Sequence, residues 1–315
     1  MSSSKQKLLV ILGPTASGKS DLAVEIARWV DGEIISADSR QVYKGLDIGT
    51  GKITHKEMKG VPHHLLDVAD PNNSRFTALD WKHAAEKAIA DIAARGKLPI
   101  ICGGTGFYIS TLIDDLGFPE VPADPVEQAQ LESLSAEELF GQLKKLDSKR
   151  AATIDLKNKR RLARAIIIAK ALGSVPELKT TKDTTDSPYE VLQIGTHVPD
   201  SELKERIRAR LVRRIEVPNE NGLTMIQEAE KLHATPPLGL GLSFERMDEL
   251  GLEYRYLAEF LQMKLSKEDM IEILSFKIWQ YAKRQKTWWK KDARITWHYP
   301  ADIENIKKEV AGFLK

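Results

Sequence analysis

Eight consecutive residues, Gly13, Pro14, Thr15, Ala16, Ser17, Gly18, Lys19 and Ser20, have the types and spacing to hold phosphate. They fit the pattern G-x-x-x-x-G-K-[ST], in which backbone N–H groups and a lysine cradle phosphate oxygens. Gly13 and Gly18 permit the tight path, and N–H groups opening a helix favour an anion. Lys19 would neutralise phosphate oxygens, and Ser20 would help hold Mg²⁺. Such a loop does not identify what hangs beyond the phosphates. Enzymes that cut triphosphates usually carry a second strand ending in an Mg²⁺-binding Asp. Here the corresponding run, "LPIIC", ends in Gly103, Gly104 and Thr105.

Another apolar run, "EIISAD", ends in Asp38, followed by Ser39, Arg40 and Gln41. Ligands of open parallel sheets bind beyond the carboxyl ends of strands, so Asp38, Thr105 and the phosphate loop are expected to face one crevice. Asp38 could serve as a general base, cap the turn that follows, or bind Mg²⁺ indirectly. Three basic clusters form a second pattern: Lys157 to Arg164, Arg206 to Arg214, and Lys283 to Arg294 around Trp288 and Trp289. Any one would be unremarkable as a solvated face. Three of them in a chain of net charge +2 imply segregated charge, the footprint of a phosphate-backbone partner. The histidines make no metal-ligand spacing. The tryptophans Trp279, Trp288 and Trp289 read as packing residues rather than base-stacking platforms.

Positioning these groups requires strands that stop at one level. Lys7 to Leu12 reads as a buried strand, Ser20 to Val30 as a helix, Glu33 to Ser36 as a strand, Thr77 to Arg95 as an amphipathic helix closed by Gly96, and Leu98 to Cys102 as a strand. That alternation predicts an α/β fold with a parallel sheet and right-handed crossovers. Prolines 119, 122 and 125 mark a change of character, and from there to Tyr189 the pattern is helical. Val191 to His197 returns as a strand. The chain is therefore expected to have a core of residues 1–118 and 190–315, with a helical insertion at 119–189. Helices are expected at Ser201 to Ile215, Leu223 to His233, Leu250 to Gln262 and from Lys267 onward, and "TTKDTTDSP" as a mobile loop.

With 315 residues, 42% apolar and 29% charged, the chain has the composition of a globular protein with about two domains. No apolar run would span a bilayer, and the first residues lack a signal peptide's apolar stretch. The lone cysteine, Cys102, excludes an internal disulfide and a cysteine zinc site. A cytoplasmic monomer is expected.

Taken in order, "GPTASGKS", "ISADSRQVYKGLDIGTGK", "PHHLLD", "GGTGFYI", "RRLARA" and "YAKRQKTWWKK" resemble the tRNA dimethylallyltransferase family over nearly the whole chain. The resemblance implies a P-loop NTPase-like core with an all-helical insertion. It also implies transfer of a dimethylallyl group from dimethylallyl diphosphate to N6 of adenosine 37, in tRNAs reading codons that begin with U. Diphosphate is then the leaving group, so the loop would stabilise charge that grows as the C–O bond breaks. By the same resemblance, Asp38 accepts the N6 proton and Thr105 hydrogen-bonds near the reacting atoms. Residues 13 to 20 and Arg210 bind the diphosphate, with Mg²⁺ near Ser20. Ser39, Arg40, Gln41, Tyr254, Arg255, Lys283, Arg284 and Gln285 contact tRNA, and Arg160, Arg161, Leu162, Ala163 and Arg164 meet the anticodon stem-loop. The sequence departs from the family at Glu253-Tyr254-Arg255 and Ile278-Trp279, on the tRNA side, and carries no C-terminal zinc finger, as in bacterial members. A P-loop small-molecule kinase and a nucleic-acid-binding module without catalysis are the competing readings.

Overall fold

A computed structural model describes residues 5–72, 76–119, 121–122, 124–177, 187–290 and 292–315. The chain runs β1 (Gln6–Leu12), α1 (Lys19–Val30), β2 (Gly32–Ala37), α2 (His55–Met58), β3 (His63–His64), α3 (Ala78–Ala94), β4 (Leu98–Gly103) and α4 (Gly106–Ile113). Next come α5 (Pro125–Ser133), α6 (Ala136–Leu146), α7 (Ser148–Ala151) and α8 (Lys159–Leu172). It closes with β5 (Tyr189–Thr196), α9 (Asp200–Glu216), α10 (Met225–His233), α11 (Phe244–Leu250), α12 (Leu252–Leu261), α13 (Lys267–Trp289), β6 (Ile295–His298) and α14 (Ile303–Leu314).

The strands form one six-stranded sheet in the order β3-β2-β4-β1-β5-β6, and every pairing is parallel. β1 is central, and Leu8 to Leu12 have no exposed surface. Its side chains alternate between faces, as the pleat requires. Leu8, Val10 and Leu12 join a core with Trp81, Ile101 and Leu211, while Leu9 and Ile11 join one with Ile26, Ile100 and Val310. Helices thus cover both faces. The side to which strands are added switches about β1, since β2, β3 and β4 lie on one side of it and β5 and β6 on the other. The phosphate loop leaves the sheet at that switch point, where ligands bind.

Local signals explain the boundaries. Thr77 and Asp80 form a reciprocal capping box at the start of α3, and Gly96 follows it at φ +73°. Ser266 caps α13 by accepting the Asp269 amide at 3.0 Å. Two expectations change. The helix expected over 250–262 is α12, which starts at Leu252 because Leu250 ends a preceding helix, α11, and Gly251, at φ +74°, separates the two. The C-terminal region is not wholly helical, because β6 adds an edge strand beside β5 and α14 packs Ile306 and Val310 on the sheet.

The chain divides into two compact units, residues 1–113 with Asp186–Lys315, and Asp114–Thr185. The second contains α5 to α8 and has its own core, built on Leu139, Leu143, Leu162 and Ile166. The expected boundaries at 119 and 189 stand a few residues later than these. Residues 180–186 of the loop expected at "TTKDTTDSP", and Lys291 of the third basic cluster, lie outside the described residues.

Candidate active site

Strand register brings the site together. Leu12 pairs with both Gly103 and Gly195, and Ala37 pairs with Gly103, so these strands end at one level. Gly13, Asp38 and Gly104 therefore leave the sheet side by side. The phosphate loop then turns into α1 through left-handed backbone at Ala16 (φ +61°) and Gly18 (φ +87°). Gly18 is the N-cap of α1 and offers no side-chain cap, which leaves first-turn N–H groups for an anion. A buried pair braces the loop from below: the Ser17 and Thr196 hydroxyls lie 2.6 Å apart, and Thr196 donates to the Leu12 carbonyl at 3.2 Å.

Cations gather at this loop. Half-buried Lys19 donates to the Pro14 carbonyl at 3.2 Å. Burial holds its pKa below the usual lysine value and nearby Arg210 adds to this, against opposing contributions from Cys102 and Asp38. Arg210 donates to the Gly51 carbonyl at 2.9 Å, and desolvation followed by the charge of Arg214 lowers its pKa. An anion between Lys19 and Arg210 would relieve both.

Asp38 performs one of its expected roles visibly. Its Oδ1 accepts the amides of Arg40 at 2.8 Å and Gln41 at 3.3 Å, so the carboxylate caps the following turn. Oδ2 takes no part in that turn. Thr105 Oγ1 accepts the Ser39 amide at 3.0 Å, which ties the Asp38 turn to the end of β4. Gln41 donates to the Gly51 carbonyl at 3.3 Å, the same oxygen that Arg210 holds.

The helix expected from Lys267 onward is α13, and its place against this crevice was not foreseen in the sequence. Tyr281, Gln285 and Trp288 lie at i, i+4 and i+7 on α13 and form one stripe along Gly104 to Gly106. Burial, then the charge of Asp38, raise the pKa of the Tyr281 hydroxyl to about 12, with nearby Thr105 opposing the shift. Gln285 donates to the Gly104 carbonyl at 2.8 Å and accepts the Thr15 amide at 2.9 Å. A Cβ at Gly106 would collide with the Trp288 indole, so glycine is required there by close approach. The helical spacing in "YAKRQKTWW" was the available signal.

A second missed group is Glu228. This buried carboxylate accepts the amides of Asp47 at 3.0 Å, Ile48 at 2.6 Å and Gly49 at 2.9 Å, and the Tyr254 hydroxyl at 2.8 Å. Arg214 grips the same loop from its carbonyl side, at Ile48 (2.9 Å) and Gly49 (2.7 Å). Glu228 thus fixes the loop whose Gly51 carbonyl orients Arg210. A lone acid among the buried Met225, Ala229 and Leu232 of α10 was its only trace in the sequence.

Several residues expected to contact tRNA are held by partners within the chain. Tyr254 is buried on Glu228, and Gln285 is buried between two backbone segments. Leu162 and Ala163 are core residues of the insertion, and Arg164 donates to the Val121 and Pro122 carbonyls. Arg255 is exposed but paired with Asp248 at 2.6 Å. Within the α9 cluster, Arg206 is paired with Glu202 and Arg208 with Glu272, both at 2.6 Å. Arg160, Arg161, Lys283 and Arg284 remain exposed, Arg160 within 3.7 Å of Glu132. Trp289 packs in the core as expected, whereas Trp288 does not.

Among the described residues no group of three His, Cys, Asp or Glu side chains could hold a metal. Exposed Ser20, in the first turn of α1, would supply one oxygen to a Mg²⁺ held mainly by the ligand's phosphates, the usual mode for that ion. Among them, too, no helix is long and apolar enough to cross a membrane.

Residues 41–292 match the family model described as IPP transferase. The chain is 38% identical to the tRNA dimethylallyltransferase of Halalkalibacterium halodurans over 98% of its length and 97% of the relative's. It is 35% identical to the enzyme of that name from Bacillus subtilis, with the same coverage. Among solved structures it resembles the full-length tRNA isopentenylpyrophosphate transferase of Bacillus halodurans, at TM-score 0.67 and 35% identity over 98% of this chain and 97% of that one. It also resembles a eukaryotic dimethylallyltransferase acting on tRNA, at TM-score 0.74 and 25% identity over 98% of this chain and 77% of the other.

Proposed function

This chain belongs to the IPP transferase family, and on that premise we propose that it transfers a dimethylallyl group from dimethylallyl diphosphate to a tRNA adenosine. The acceptor is N6 of adenosine 37, in tRNAs reading codons that begin with U. The observation that carries this reading is the shared level of the phosphate loop, Asp38 and Thr105. It puts an anion cradle beside a carboxylate with one oxygen uncommitted to the turn, the combination an alkylation of an amine requires.

In the reaction the N6–carbon bond forms as the carbon–oxygen bond to diphosphate breaks. Lys19, Arg210 and the first-turn N–H groups of α1 meet the charge that grows on the leaving group. Mg²⁺, when bound, adds neutralising charge there. Asp38 Oδ2 takes the proton that N6 loses as it becomes bonded to carbon. Ser39 and Arg40 lie on the turn that Asp38 caps and face the incoming base. Thr105, held by the Ser39 amide, fixes that turn against β4. Exposed Lys283 and Arg284 on α13, and Arg160 and Arg161 on the insertion, supply charge for the RNA backbone. The enzyme acts as a cytoplasmic monomer.

The kinase reading is not favoured, because β4 ends in glycine where such enzymes usually carry a metal-binding Asp, and the relatives carry the transferase name. Incubation with unmodified tRNA and either labelled dimethylallyl diphosphate or γ-labelled ATP tests the choice. The expected outcome is prenyl label in tRNA and no transfer from ATP; the reverse would refute the proposal.

A further inference from the structure

Trp288 is 50% exposed in the last turns of a helix whose next residue, Trp289, is 3% exposed. Its indole lies over Gly106, one residue beyond Thr105, and meets Phe107 edge to face at 6.2 Å and 78°. Phe107 is itself 39% exposed. Beside them on α13 is an open, shallow surface lined by Gln280, Lys283, Arg284, Thr287 and Trp288. Arg284 stands over the Tyr281 ring at 5.7 Å, so its charge is drawn toward the same surface.

An exposed aromatic flanked by cations beside a reaction crevice suits one ligand chemistry: an unstacked base on a phosphate backbone. We propose that Trp288, supported by Phe107, is a stacking shelf for a nucleotide adjacent to the modified adenosine, with Lys283 and Arg284 on its phosphates. This rests on the tRNA-modifying reading above. The physical need is specific. An adenine inside a stacked loop cannot reach the crevice, so it must swing out and leave its neighbours with uncovered faces. A rigid indole one residue from Thr105 replaces a lost stacking partner where the strand is opened. Gly106 serves the same arrangement, since any side chain there would push the indole off α4.

The test uses the full-length protein and an anticodon stem-loop RNA carrying the target adenosine, with affinity measured over a range of salt. Trp288→Leu keeps apolar volume without a π face and should weaken binding about tenfold at every salt concentration. The slope of log affinity against log salt should not change, because no phosphate contact is lost. Trp288→Phe should keep most of the affinity. Lys283→Ala should instead flatten the slope by about 0.7 to 0.9. Unchanged donor affinity in the Leu variant shows that the crevice is intact. Wild-type affinity in the Leu variant, equal losses in the Leu and Phe variants, or a slope change matching Lys283→Ala would each overturn the shelf. Failure of the parent reading is separately visible, as wild-type protein that moves no prenyl label to tRNA.

Discussion

Replacing Asp38 by Asn separates the two jobs of its carboxylate. Oδ1 accepts the Arg40 and Gln41 amides at 2.8 and 3.3 Å, and an asparagine carbonyl oxygen can accept both. The charged acceptor is stronger than the neutral one, so this exchange should cost about 1 kcal/mol or less in turn stability. Oδ2 becomes an NH₂ group, which cannot take a proton from N6. Loss of a positioned general base lowers the rate by about a hundredfold or more, equivalent to about 2.7 kcal/mol or more in the barrier. The chemical effect therefore exceeds the structural one. Donor affinity should hold or rise, since a negative charge near Lys19 and Arg210 is removed. The assay is single-turnover transfer with enzyme in excess, alongside equilibrium binding of tRNA and donor. Asp38→Ala is the companion: it also frees the two amides, so tRNA affinity should fall with the rate. Transfer by the Asn variant within tenfold of wild type would refute the base. Lost donor binding or lost Mg²⁺ dependence would move Asp38 into the metal site.

Glu228→Ala leaves three amides and the Tyr254 hydroxyl without their acceptor, and should destabilise the fold by about 3 kcal/mol or more in denaturant melts; wild-type stability would refute the clamp. Glu33 pairs with Arg95 and His64, and the Arg95 hydrogen bond leads in holding its pKa near 2, below the ordinary 4.5. A depressed carboxylate stabilises the fold above pH 4.5 and loses that contribution as pH falls toward 2. Discounted for exposed Arg95, Glu33→Gln should cost about 2 kcal/mol at pH 7 and nothing near pH 2, as read from stability against pH. Arg160→Ala with Arg161→Ala should flatten the salt dependence of tRNA binding. Arg164→Ala should instead lower the melting temperature of the insertion with little change in slope, because its guanidinium holds the Val121 and Pro122 carbonyls.

The sequence alone determined those features that depend on neighbours along the chain. Phosphate-loop spacing, the buried run of β1, the amphipathic helix that begins near Thr77 and is closed by Gly96, and the alternation of strand and helix are all local, and each appears in the fold. Asp38 and Thr105 could be assigned to one crevice because both follow parallel strands, and parallel strands end at a common edge. Tertiary structure decided what each polar side chain faces. Tyr254 and Gln285 sit in motifs that look like partner-binding surface, yet hydrogen bonds to residues 26 and 181 positions away bury them. The arginines of α9 share a helical pattern, but Glu202 and Glu272 neutralise two of them while backbone carbonyls of the 48–51 loop take Arg210 and Arg214. Adjacent Trp288 and Trp289 are alike in sequence, and only helix phase against α4 makes one core and leaves the other exposed. A carboxylate's or an indole's role depends on what lies across the crevice, and periodicity carries no information about groups brought together from distant parts of the chain.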